Sequence, residues 1–261
     1  MLSNGITSES SMSLLQFKYK YLFYTIFISL WATSCVAAVK LISVFGITFT
    51  GGFLIFPFTS LCCTTLVEIY GFKSAREAAW CGLIFNTIFI FFISLVSILP
   101  SSPYWSLQNE YNLILLQSIR ILFASIISFL ISYFINAYLM SVFKLRSHGK
   151  NLIQRILISN TTSNLIDIIC FITIAFMGVI PHSALLKLLF FAAIKKFLCE
   201  LAFLPIAWYL IDKIKSKEGK EVFDLNTNFS PFSLDNVYDF QSIKISNESK
   251  VNVFQNTLVM K

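Results

Sequence analysis

Six apolar stretches dominate this chain, each near the roughly 20 residues a helix needs to cross the hydrocarbon of a bilayer. They run Tyr21–Ile42, Ile47–Val67, Ala78–Leu99, Leu113–Leu139, Ile156–Met177 and Lys187–Ile211. Inside lipid every backbone polar group must find its partner within the segment or a closed barrel, so runs of this length predict an all-α membrane protein with six transmembrane helices. Composition agrees: 13% of residues are charged, against about 25% in soluble domains. The second stretch is irregular, interrupted by Gly51-Gly52 and Pro57. Breaks of this kind free backbone groups that often line a cavity.

The basic residues fall between alternate runs. Lys18 and Lys20 precede the first; Lys73 and Arg76 follow the second; Lys144, Arg146, Lys150 and Arg155 lie between the fourth and fifth; Lys213, Lys215, Lys217 and Lys220 follow the sixth. The intervening loops hold little positive charge, so both termini, the Gly71–Ala75 loop and the Ser147–Lys150 loop are expected in the cytoplasm. The net charge of +7 is therefore an orientation signal and implies no nucleic-acid partner. "WATSCVAA" could pass for a signal-peptide cleavage region, but more apolar sequence follows it directly. The chain divides into a cytoplasmic N-terminal segment (1–20), a transmembrane domain (21–211) and a polar tail (212–261) whose composition predicts disorder.

Polar residues inside the runs point to function. On a helical projection of the fifth run, Ser159, Asn160, Ser163, Asn164 and Asp167 share an arc of about 140°. A carboxylate at mid-membrane costs roughly 2.5–3.5 kcal/mol on insertion scales, so the stripe should face a bundle interior or wet cavity. In the fourth run Ser125, Ser128, Ser132 and Asn136 form a second stripe, which also suits close helix packing. Arg120 lies deep in the same run. The sixth carries "AAIKKFLCELAFLP", where Lys196 and Glu200 are i, i+4 neighbours able to pair, leaving Lys195 as the expected partner of Asp167. Glu68 stands at the cytoplasmic edge of the second run, where Lys73 and Arg76 would make an interfacial cluster with it, and Thr59 offers that broken run a hydroxyl.

No reaction motif is present: there is no G-x-S-x-G, H-E-x-x-H or P-loop. The cysteines lie in apolar runs without C-x-x-C spacing, so they read as packing residues and no metal or cofactor is expected. Interior charges without a catalytic set favour transport over catalysis.

Several of these residues occur together in a recognisable order: "SCVAAVKLI"; "FPFTSL" with "EIYGFKSAR"; Arg120 with Ser125; "SNTTSNLIDIICFITIAFMG"; and Lys195 ten residues before Pro205. This order resembles the queuosine precursor transporter family, also called the VUT family, over about Tyr21 to Ile211. The resemblance implies a six-helix protein of the cell inner (plasma) membrane, not an enzyme, similar in fold to the substrate-binding subunits of vitamin transporters but working without an ATPase module. It implies import of a deazaguanine base, preQ0, preQ1 or queuine, used in tRNA modification. Where members carry other polar residues, this chain has Cys35, Thr64, Val67 and Asn136. A guanine-like face presents two N–H donors that one carboxylate can take as a bidentate pair. Asp167 and Asn164, opposed by Arg120 or Lys195 and joined by Glu68, Ser163 and Thr59, are thus the expected substrate-binding residues. A vitamin-binding subunit that needs an ATPase module, and a membrane sensor or enzyme that binds a base without moving it, are the alternative readings.

Overall fold

A computed structural model describes residues 17–37, 40–44, 47–115, 119–178, 181–235 and 242–245. The chain is mainly helical. In order it forms α1 (Lys20–Ala37), the strands β1 (Leu41–Val44) and β2 (Ile47–Thr50), α2 (Gly52–Ile98), α3 (Gln108–Leu115), α4 (Ile119–Arg146), α5 (Leu152–Phe176), α6 (His182–Glu218), β3 (Lys220–Val222) and β4 (Ile243–Ile245). β1 pairs antiparallel with β2, and β3 with β4. Among the described residues, four helices are long and apolar enough to cross a membrane: α1, α2, Phe123–Arg146 of α4, and α5. The 37-residue α6 is not among them, because Lys187, Lys195, Lys196 and Glu200 interrupt its apolar run.

α2 would be about 70 Å long if straight, more than twice the bilayer core. It is not one rod. Gly71 takes φ 78°, ψ 174°, a conformation close to glycine-only, and breaks the helix there. Phe27 of α1 lines a cavity with Cys63 and also lies against Gly82, although a straight helix would hold those two residues about 28 Å apart. The halves of α2 therefore lie side by side, and the cytoplasmic loop expected at Gly71–Ala75 shrinks to a single-residue break. Gly82 lets α1 approach closely: a Cβ there would stand 2.7 Å from the Trp31 ring.

The ends of the first two expected spans differ from the sequence reading. Leu41–Val44 and Ile47–Thr50 pair as the strands β1 and β2 rather than continuing the helices, as their β-branched content allows. Of the fourth expected span, residues 113–115 lie in α3 and 119–139 in α4, with residues 116–118 outside the described residues; Gln108 Nε2 of α3 donates to the Ser97 carbonyl at 3.0 Å.

Much of the outer surface is apolar. Ile84, Phe91 and Ile98 on α2 and Leu186, Phe190 and Leu198 on α6 are more than half exposed. Exposed apolar side chains along long helices suit a lipid environment. The buried core joins α1, α2 and α4 through aromatic packing, including Trp31 stacked on Phe129 at 4.1 Å between ring centres.

The start of α1, Gly71, the end of α4, the start of α5 and the end of α6 meet at one end of the bundle. Glu218 accepts from the backbone N–H groups of Lys18 and Tyr19 and from the Tyr70 hydroxyl. The tail expected to be disordered also packs here over its described residues up to 235. Asp224 accepts from the Phe72 N–H at 2.9 and 3.0 Å and caps the second half of α2. Arg76 Nη1 donates to the carbonyls of Asn228 and Ser230, and Trp80 Nε1 to that of Pro231. Composition misled there because the tail has no apolar core of its own and is held by the helices, through these polar groups and through Phe229 against Phe72 and Tyr138.

Candidate substrate site

The polar stripe of α5 faces inward, as its spacing requires. Ser159, Asn160 and Ser163 are buried, while Ile158, Leu165 and Ile169 face outward. α4 supplies Ser132 and Asn136 to the same interior, and α2 supplies Thr59, Ser60 and Thr64. These side chains form a connected network. Asn136 Nδ2 donates to Asn160 Oδ1 at 2.5 Å and to Ser163 Oγ at 3.2 Å. Asn160 Nδ2 donates to Ser60 Oγ at 3.2 Å, and Thr64 Oγ1 donates to Asn160 Oδ1 at 3.4 Å. Hydrogen bonds between helices fix such a bundle where lipid offers no competing partner.

Beside the network lies a cavity of about 90 Å³. Phe27, Phe56 and Phe129 form its aromatic walls, and Asn136, Ser163, Asn164, Asp167 and Lys196 its polar ones. Lys196 Nζ contacts Asp167 Oδ2 at 2.5 Å and sits 4.8 Å from the centre of the Phe56 ring. Each member of the ion pair is about one-fifth exposed. Asn164 Nδ2 donates to Glu200 Oε2 at 2.9 Å. A carboxylate, two amides and a cation between aromatic faces can recognise a flat, polar-edged ring. The volume is below the roughly 300 Å³ of a preformed small-molecule site, so entry of a bicyclic ring requires the walls to part.

The expected site residues are only partly brought together. Asp167, Asn164, Ser163 and Thr59 line the cavity. The partner of Asp167 is Lys196 rather than Lys195, and Glu200 accepts from Asn164 rather than pairing with Lys196. Adjacent lysines on a helix point about 100° apart, and only one can face α5. The Arg120 side chain lies outside the described residues.

Glu68 is elsewhere, buried at the basic end of the bundle. Arg155 grips it in a fork, Nη1 to Oε2 at 2.5 Å and Nη2 to Oε1 at 3.0 Å. Lys215 and Lys144 approach its Oε1 at 3.7 and 3.9 Å. Glu221 of β3 then bridges Lys144 at 2.9 Å and Lys215 at 2.5 Å. Lys73 pairs instead with Asp235 at 2.5 Å. Glu68 does sit in a cluster of cations, but its partners are Arg155, Lys144 and Lys215 rather than Lys73 and Arg76. Burial lowers the affinity of Lys220, beside this cluster, for its proton.

Sequence reasoning left Asn160, Asn136 and Lys196 out of the site. Asn160 had a visible signal, since it precedes Asn164 by one helical turn on the same stripe.

Fold and site together define a helical membrane protein with a cavity of aromatic and polar walls between its helices. The sequence pattern of the family described as "Putative vitamin uptake transporter" matches residues 50–210, and the chain belongs to that family. A protein from Bacillus subtilis (strain 168) named "Probable queuosine precursor transporter" is 26% identical over 195 residues, covering 68% of this chain and 79% of its own length. No solved structure matches. Family and relative are both transporters by name, in keeping with the resemblance read from the sequence.

Proposed function

We propose that this chain imports a deazaguanine base, a precursor of queuosine such as preQ0, preQ1 or queuine, for tRNA modification. The observation that carries the reading is the cavity in which Asp167, Asn164 and Asn136 face Phe27, Phe56 and Phe129. Asp167 takes the two N–H donors of the guanine-like edge, the Asn amides or Lys196 serve its carbonyl, and the phenylalanines hold its faces. The name of the B. subtilis relative supports this substrate class.

The same reading gives six crossings of the cell inner membrane: α1, the two halves of α2, α4, α5 and α6, with both termini and the basic end in the cytoplasm. α6 crosses despite its charges because Lys196 and Glu200 find partners on α5. No ATPase module takes part. The test is a strain unable to make queuosine that expresses this chain and is offered each base separately. Queuosine should appear in its tRNA, dependent on the chain. Absence of queuosine with every base contradicts the proposal; rescue only with added ATPase subunits favours the vitamin-type binding subunit.

A further inference from the structure

We propose that Glu200 is a proton-binding site that couples movement of the base to movement of a proton. Glu200 is 6% exposed, in the interior of α6. Its Oε2 accepts from Asn164, but its Oε1 is buried without a hydrogen-bond partner among the described residues. The cation one turn earlier, Lys196, is held by Asp167 and the Phe56 ring. α5 presents to Glu200 the amides of Asn160 and Asn164, with Asp167 already paired; α2 presents the hydroxyls of Ser60 and Thr64. On α6 itself Lys195, Lys196 and Cys199 precede it. Among the described residues no cation forms a salt bridge with Glu200.

An unpaired carboxylate in so dry a place costs far more to bury than the neutral acid. The closed bundle therefore holds Glu200 as the acid. The proton sits on Oε1, toward a small cavity of about 30 Å³ shared with Ser60, Thr64 and Asn160, which offer it acceptors. Asn164 connects this point to the base cavity, because it lines that cavity and donates to Glu200. A base enclosed beside Asp167 thus crosses with one proton on Glu200, taken up as carboxylate becomes acid on one side and released as acid becomes carboxylate on the other. The coupling rests on the transport reading above; the protonation of Glu200 does not.

The test has two arms. Infrared spectroscopy of the purified full chain at neutral pH, with no base added, should show the carbonyl band of a buried carboxylic acid. The band should vanish in Glu200→Gln and persist in Asp167→Asn. Because glutamine is a neutral isostere of the acid, Glu200→Gln should also melt as the wild type does. In the second arm, proteoliposomes holding either protein receive labelled preQ0 with the outside one pH unit more acid. Wild type should accumulate it about tenfold over equilibrium, while Glu200→Gln should only equilibrate it. A spectrum unchanged by Glu200→Gln, or accumulation by that variant equal to wild type, overturns the proposal. A wild type that shows the acid band but moves no base retains the proton site and overturns the base reading.

Discussion

Lys196 Nζ meets Asp167 Oδ2 at 2.5 Å, so the anion of the central cavity comes from α5 and the cation that answers it from α6. The pair has two consequences. It offsets the cost of a carboxylate inside the bundle, and it joins two helices at the point where a substrate would have to enter. Lys196→Met should therefore lower base uptake about tenfold or more, whereas Lys195→Met, away from the cavity lining, should stay within about twofold of wild type. Initial uptake rates at equal expression measure both.

Glu68, gripped by Arg155 away from the cavity lining, is expected to serve the fold rather than the base. Glu68→Gln keeps its size but leaves the nearly fully buried Arg155 facing a neutral group, while Lys144 keeps Glu221 as its partner. Breaking a buried pair from one side typically costs about 3–5 kcal/mol. The variant should melt well below wild type in detergent, while protein that survives binds base with near-normal affinity.

Gly71→Ala tests the break in α2. The backbone at φ 78°, ψ 174° is strained for any residue with a Cβ, at about 1–3 kcal/mol. Thermal unfolding of purified protein should register that loss. An unchanged melting temperature would contradict the account of a glycine-dependent break.

Asp224→Ala tests whether the tail is part of the folded unit. It removes both acceptors from the Phe72 N–H, and losing such a cap costs about 0.5–2 kcal/mol. Protease sensitivity at residues 223–235 should rise in the same variant, because Arg76 and Trp80 hold the neighbouring carbonyls.

The crossings are tested by single cysteines at Ser147 and Ser102 in a background without the native cysteines. They should label from opposite sides of the membrane. Labelling of both from outside would defeat the six-crossing topology.

Helical periodicity made the inner face of α5 legible, because a carboxylate with serines and asparagines one turn apart has few other places to go. The basic residues at alternate ends likewise marked where Lys144, Arg155 and Lys215 would gather. Their shared partner could not be read: Glu68 lies 87 positions from Arg155, and which cation reaches it depends on how the helices rotate. The choice between Lys195 and Lys196 was hidden for the same reason, since one step along a helix turns a side chain by about 100°. The folded tail was invisible because Asp224 and Arg76 bind backbone groups, which carry no side-chain pattern, and because scattered aromatics such as Phe229 and Phe232 form no periodic run.

The most direct test of the central claim is base affinity together with melting temperature for purified Asp167→Asn. The asparagine keeps the size and one acceptor but loses the charge and the bidentate geometry. Asp167 reading the base predicts ten- to a thousandfold weaker binding, about 1.5–4 kcal/mol, in a protein that folds nearly normally. Unchanged affinity in a protein that melts lower would contradict the claim and leave Asp167 as only the structural partner of Lys196.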